Sequence, residues 1–251
     1  MIDPRPAIVD RRLAGVRSIL AVASGKGGVG KSACSVIGAL ALAQRGLAVG
    51  LLDLDFQGAS CHTLIGCSPG FPAEDRGLLP LEPVAGLGFA TIASFTGERP
   101  AAMRGADLSG MLLEMLAVTR WGPLDVLLVD MPPGIHDTAL ELARLVPRCR
   151  HLVVTTRSRV AAAVSSRLLQ FLREAGAPVV GLFENMAAGA PDPSLLRLSD
   201  REGIPFLGTV PHDPSLEAAT GSPGLLVETA VARSLVLILI RALDRDRKLG
   251  V

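Results

Sequence analysis

The sequence predicts an α/β fold: a mostly parallel sheet with helices on both faces, stacked as a three-layer sandwich. Three observations predict it. The glycine-rich stretch Ser24-Gly25-Lys26-Gly27-Gly28-Val29-Gly30-Lys31-Ser32 follows a buried strand pattern and precedes an Ala/Leu-rich helical one. Strand and helix signals then alternate along most of the chain, as in sheets with parallel strands. Apolar residues make up 49% of the 251 residues and aromatics only 3%, with no tyrosine. Such a core is aliphatic, as strands buried on both faces require.

The elements follow in order. Ile19–Ala23 reads as the first buried strand, and Ala33–Gln44 as a helix closed by Gly46. Ala48–Leu52 is the next strand, running into Asp53-Leu54-Asp55. Residues 66–86 are rich in Gly and Pro and read as a loop-rich surface excursion. Gly88–Ile92 is an outer strand, Leu108–Val118 a helix, and Asp125–Val129 a buried strand ending in Asp130. His151–Thr155, Val160–Glu174 and Pro178–Phe183 repeat strand, helix, strand. Pro205–Val210 is a last short strand and Leu225–Leu243 a terminal helix. The length suits one domain over residues 1–251, with 1–15 as an N-terminal extension.

Composition excludes several classes. A net charge of +1 gives no global field favouring nucleic acid or an anionic membrane. No apolar run approaches the roughly 20 residues that cross a bilayer. Residues 1–12 carry Pro4, Pro6 and mixed charges, unlike a signal peptide. The four cysteines, Cys34, Cys61, Cys67 and Cys149, fit reduced cytosolic thiols better than a disulfide frame. The expected compartment is the cytoplasm.

Gly25 to Ser32 meets G-x-x-x-x-G-K-[ST], a phosphate-binding loop, so the expected fold is of the P-loop NTPase type. Gly25, Gly27, Gly28 and Gly30 let the backbone wrap a phosphate, and the N–H groups through Val29 and Ala33 point at its oxygens. The next helix adds its positive end. Lys31 reaches the β- and γ-phosphates, and the Ser32 hydroxyl ligates Mg²⁺. Asp130, ending an apolar strand, holds the same ion directly or through water. Asp53 and Asp55 lie on one side of an extended chain. One of them reaches the metal shell or orients the attacking water, and Asp55, further toward the loop, is the candidate for the water. Each acid alone could instead cap a turn.

These residues carry a resemblance. Gly25–Ser32 resembles the deviant Walker A motif of the MinD/ParA/nitrogenase-iron-protein class. In that class the early lysine, Lys26 here, crosses a nucleotide-sandwich homodimer to the partner's phosphates. Within the class several stretches are similar to the Mrp/ApbC/Nbp-type iron–sulfur ATPases. Asp130-Met131-Pro132-Pro133-Gly134 with Asp137 resembles their switch II, and Val154-Thr155-Thr156 their following strand. Glu184-Asn185-Met186 matches their E-N-M signature, in which the asparagine recognises adenine. The segment Pro205 to Pro214, with Pro211 and Asp213, resembles the one lining their base pocket. The resemblance spans about residues 18–225. It implies ATP/ADP and Mg²⁺ as cofactors, a homodimer, and slow ATP hydrolysis with Lys26, Lys31 and Asp55 as catalytic residues. It also implies iron–sulfur or metal-cofactor assembly or transfer, with an iron–sulfur or other metalloprotein as client.

Three departures qualify this. Ala33 replaces the usual threonine and removes one hydroxyl contact to the α-phosphate. Asp53-Leu54-Asp55-Phe56-Gln57-Gly58 leans toward the ParA form. The C-x-x-C that follows E-N-M in Mrp-type proteins is absent, Ala187-Ala188-Gly189-Ala190-Pro191 standing in its place, so the usual bridging cluster lacks its thiolates. Cys61 and Cys67, with His62 between them, could substitute at a dimer interface, though buried cysteines commonly act as small hydrophobes. Cys34 and Cys149 read as structural. The alternative function is therefore an ATP-gated positioning switch for a partner, nucleoid or membrane; a third possibility is a member that binds nucleotide but scarcely hydrolyses it. His136 is a weak general-base candidate, and Arg157 and Arg159 contact a partner or phosphate, or lie in a solvated loop. In the terminal helix, Asp244 and Asp246 interleave Arg245, Arg247 and Lys248, which argues for core packing over membrane binding.

Overall fold

A computed structural model describes residues 3–96, 106–135 and 137–248. His136 lies outside the described residues. Eight strands form one sheet: β1 (Val16–Ala23), β2 (Val49–Asp53), β3 (Leu81–Val84), β4 (Leu87–Thr91), β5 (Leu124–Asp130), β6 (Arg150–Thr155), β7 (Val179–Ala187) and β8 (Phe206–Pro211). Their order across the sheet is β3-β4-β2-β5-β1-β6-β7-β8. All neighbours are parallel except β3 and β4, which form an antiparallel edge.

Alternation of side chains sorts each central strand between two apolar layers. Leu20 and Val22 of β1 face one core, while Ile19, Ala21 and Ala23 face the other. In β5, Val126 and Leu128 join the first core, Leu127 and Val129 the second. The first core is covered by helices Lys31–Ala43 and Ala230–Lys248. Arg5–Leu13, Ala106–Val118, Asp137–Leu145, most of Arg159–Glu174 and Pro193–Glu202 cover the second. A sheet buried on both faces needs the aliphatic composition read above.

Several elements differ from expectation for local reasons. Residues 1–15 carry helix Arg5–Leu13, whose Val9 and Leu13 enter the second core. Arg148 fastens this end of the chain by donating to the carbonyl of Val16 at 2.7 Å. The loop-rich stretch 66–86 contains β3, so the strand expected to be outermost, β4, has an antiparallel partner outside it. The terminal helix is two: Pro223–Val227, then Ala230–Lys248, started by Thr229, whose Oγ1 accepts from the Ala232 N–H at 3.1 Å. Val231, Leu235, Ile238 and Leu239 of the longer helix are buried in the first core. Among the described residues no helix is long and apolar enough to cross a membrane.

The same aliphatic packing traps one polar ring. His151 near the start of β6 is fully buried, and neither ring nitrogen has a hydrogen-bond partner. Burial pushes its pKa down to about 4 from an ordinary value of 6.5. The ring is therefore neutral in the fold but takes up a proton more readily when unfolded. Its contribution is full above pH 6.5 and is lost as pH falls toward 4, by at most about 3 kcal/mol. Urea unfolding should thus weaken between pH 6.5 and 4.5 more steeply in the natural protein than in His151→Leu; equal slopes would refute this.

Candidate functional site

The site forms at the carboxyl ends of β1, β2 and β5, where open α/β sheets place ligands. The loop leaving β1 needs glycine for particular reasons. Gly28 and Gly30 both have φ +78°, in the left-handed region. A Cβ on Gly25 would stand 2.8 Å from the Val164 backbone, and one on Gly30 2.4 Å from Asn185 Nδ2. No side chain caps the helix that begins at Lys31, so its positive end faces the loop. Ser24 Oγ donates to the Lys26 carbonyl at 3.0 Å, and the Gly134 N–H to the Ser24 carbonyl at 2.8 Å. The loop is therefore tied to the Asp130–Gly134 segment. Ser24, Lys26, Lys31, Ser32, Asp55 and Pro133 are among the residues around a cavity of about 240 Å³.

Asp130 is the electrostatic centre. It is fully buried at the end of β5, in register with Val22 of β1 and Asp53 of β2. Lys31 Nζ lies 2.7 Å from its Oδ1. The hydroxyls of Ser32 and Ser35 donate to it, each at 2.7 Å. Lys31 also donates to Ser32 Oγ at 3.1 Å. A carboxylate removed from water is tolerated only when paired and hydrogen-bonded in this way. The hydroxyl and carboxylate oxygens of Ser32 and Asp130 are the hard donors that a magnesium ion takes.

The two acids at and just beyond the end of β2 have different surroundings. Asp53 is fully buried and accepts from the N–H groups of Asp55 at 3.0 Å and Cys61 at 3.3 Å. Burial, then the charge of Asp130, pushes its pKa up to about 7. The chain does not stay extended beyond it: the Phe56 N–H turns back to the Leu54 carbonyl at 2.9 Å. Asp55 is half-buried at the loop cavity and accepts from the Gly58 N–H at 3.0 Å. Asp55 therefore faces the loop, while Asp53 braces it from behind.

Cys61 is buried, as the small-hydrophobe alternative expects, and its neighbour is a carboxylate. It is fully buried at the start of helix Cys61–Ile65, with Sγ 3.6 Å from Asp130 Oδ2. Ligand atoms of Asp53, Cys61 and Asp130 lie within 4.8 Å of one another. Burial, then the two carboxylates, pushes the Cys61 thiol well up. Cys61 is thus enclosed by the protein, while Cys67 is half-buried. Cys34 and Cys149 are buried in the core, as expected, and burial pushes Cys34 up to about 12.

On the other flank, Asn185 near the end of β7 donates from Nδ2 to the Val29 carbonyl at 2.8 Å. It braces the phosphate loop and keeps its oxygen and second N–H for other partners. Ala187 pairs in register with Pro211, and the His212 N–H donates to the Ala187 carbonyl at 3.1 Å. Asp213 is committed to its own turn, accepting from the Ser215 N–H at 3.0 Å; these bonds to Ser215 hold its carboxyl below the usual range. Arg157 is not a solvated loop residue. It pairs with fully buried Glu184 at 2.8 Å and donates to the carbonyls of Ala188 and Ala190. Ser35, the place of Cys61 beside Asp130, and the Arg157–Glu184 pair were missed. Only Ser35, one helical turn beyond Lys31 and Ser32, had a signal, its face of the helix.

Residues 15–236 match the family described as ParA: NUBPL iron-transfer P-loop NTPase. The chain belongs to this family. A Mycobacterium tuberculosis iron–sulfur cluster carrier protein is 40% identical over 222 residues, 81% of this chain and 58% of its own length. A Synechocystis iron–sulfur cluster carrier protein is 35% identical over 256 residues, 92% of this chain and 72% of its own. The chain thus spans less than two thirds of the mycobacterial relative. An Archaeoglobus fulgidus nucleotide-binding protein solved with ADP is 28% identical, with a TM-score of 0.76, 91% of this chain and 95% of that one. The Pyrococcus furiosus cell-division ATPase MinD, 20% identical, shares the fold with a TM-score of 0.65 over 93% of this chain and 99% of its own. The family assignment agrees with the expected MinD/ParA-class P-loop fold.

The Asp130 node yields a direct test. Replacing Asp130 with Ala strands the Lys31 ammonium in the fold, and urea denaturation should report a loss of about 3–5 kcal/mol. A double variant that also carries Lys31→Met should recover part of that loss, and no recovery would refute the pairing.

Proposed function

We propose that this family member is a cytoplasmic, magnesium-dependent ATPase that dimerises around ATP, turns it over slowly, and serves iron–sulfur or metal-cofactor assembly or transfer. The observation that carries this reading is the Asp130 node, where Lys31 and Ser32 converge within 2.7 Å at the mouth of the phosphate loop. When ATP enters, Lys31 exchanges the Asp130 carboxylate for the β- and γ-phosphates, and the N–H groups from Gly27 to Ala33 cradle them. Ser32 and Asp130 hold the magnesium ion, which when bound neutralises charge on the phosphate oxygens. Asp55 orients a water for in-line attack on the γ-phosphorus, and ADP leaves with its bridging oxygen. Lys26 of each protomer supplies charge to the other's phosphates. Asn185 turns its remaining amide atoms toward the adenine edge, with Pro211 beside it; Asp213 shapes the turn behind.

The relatives' names point to cluster cargo. The cysteines of this chain do not fit an autonomous cluster site: three are buried, and the fourth, Cys67, is half-buried. The cluster ligands accordingly come from a client metalloprotein. The absent cysteine pair also favours a second reading, an ATP-gated positioning switch.

Three measurements test this. ATP turnover should fall on the order of 10³-fold in Lys31→Ala; zero turnover in both proteins would refute the catalytic claim. Lys26→Ala should bind ATP yet lose dimerisation in sedimentation. Anaerobic reconstitution with iron and sulfide should leave the isolated chain without cluster absorbance. ATP-dependent pelleting with DNA or liposomes would instead favour the switch.

A further inference from the structure

The nucleotide site leaves one strongly charged feature unused. Between helices Arg159–Glu174 and Pro193–Glu202 lies a groove of about 540 Å³, with Arg159, Arg197 and Arg201 around it and Ala162, Ala163 and Leu198 lining it. The same helices leave Val160 64% and Leu196 39% exposed.

The fold does not account for two of these cations. Arg159 and Arg197 make no ion pair among the described residues. Arg159 sits in the first turn of its helix, which has no acidic residue there and whose positive end disfavours a cation. Arg201, 65% exposed, pairs with Glu202 at 3.2 Å and donates to Ser166 Oγ at 2.9 Å, while that carboxylate also accepts from Ser166 and Arg173. Asp192, at the mouth of the second helix, is engaged in capping Ser194 at 2.7 Å. Guanidinium groups around a partly apolar floor suit carboxylates carried on a chain with aliphatic side chains. A nucleic acid fits less well, since no aromatic lines the groove for base stacking and the net charge is only +1. A bilayer fits less well because the surface is concave.

We propose that this groove docks an acidic, leucine-bearing segment of a partner protein. The position has mechanical meaning: helix Arg159–Glu174 meets the phosphate loop, its Val164 backbone standing 2.8 Å from where a Gly25 Cβ would be. The groove and the loop are thus joined through one rigid element.

The test uses the full chain and a fluorescein-labelled peptide of glutamate and leucine, read by anisotropy at low salt, with a lysine/leucine peptide as control. The natural protein should bind the acidic peptide and not the basic one. Arg159→Glu with Arg197→Glu should weaken acidic binding at least about tenfold and gain the basic peptide, since like charges across an interface repel. Its urea midpoint and ADP affinity should stay those of the natural protein, which separates a lost surface from a lost fold. Failure to bind the acidic peptide, or binding unchanged by the double reversal, overturns the proposal. Binding of phosphatidylserine vesicles or duplex DNA that vanishes in the same variant, without acidic-peptide binding, overturns it in favour of a lipid or nucleic-acid surface.

Discussion

The fold closes around one buried negative charge. Asp130 ends the strand beside β1, and its carboxylate meets an ammonium and two hydroxyls delivered by a single helix, Lys31–Ala43. That helix can deliver them only because its first residues follow a loop that turns through two left-handed glycines. The geometry of loop, helix and strand is therefore set by one desolvated group that needs all three. Burial makes the arrangement costly to break, because removing one partner leaves the other charge uncompensated.

A second polar assembly holds the opposite flank. Arg157 and buried Glu184 tether the 188–192 segment through its carbonyls and the Asp192 N–H. One residue along, Asn185 braces the loop at Val29. The phosphate loop is thus gripped between the segment after β5 on one side and β7 on the other.

The sheet and the loop were legible because their signals are local. Val126–Val129 is a continuous apolar run, and the loop's glycines and lysines sit at fixed spacing. Two of the missed helices carried signals that read as interruptions. Pro193 follows Asp192, which caps its helix, and Pro6 lies at the start of Arg5–Leu13. Proline in a first helical turn is favourable, yet in sequence it resembles a break. The place of Cys61 beside Asp130 had no local signal: it comes from the turn after Asp53, where the N–H groups of Asp55 and Cys61 donate to the Asp53 carboxylate. The distinction between Asp53 and Asp55 was half legible, since alternation fails once the chain bends.

The contact of Gly25 with Val164 limits how this protein can change. Any side chain at Gly25 must displace the backbone of helix Arg159–Glu174, whose Leu168, Leu169 and Leu172 anchor the second core. A change to the loop at this point therefore requires that a whole helix be re-seated. An engineer seeking a new nucleotide preference would find Gly25 closed to substitution until that helix is moved first.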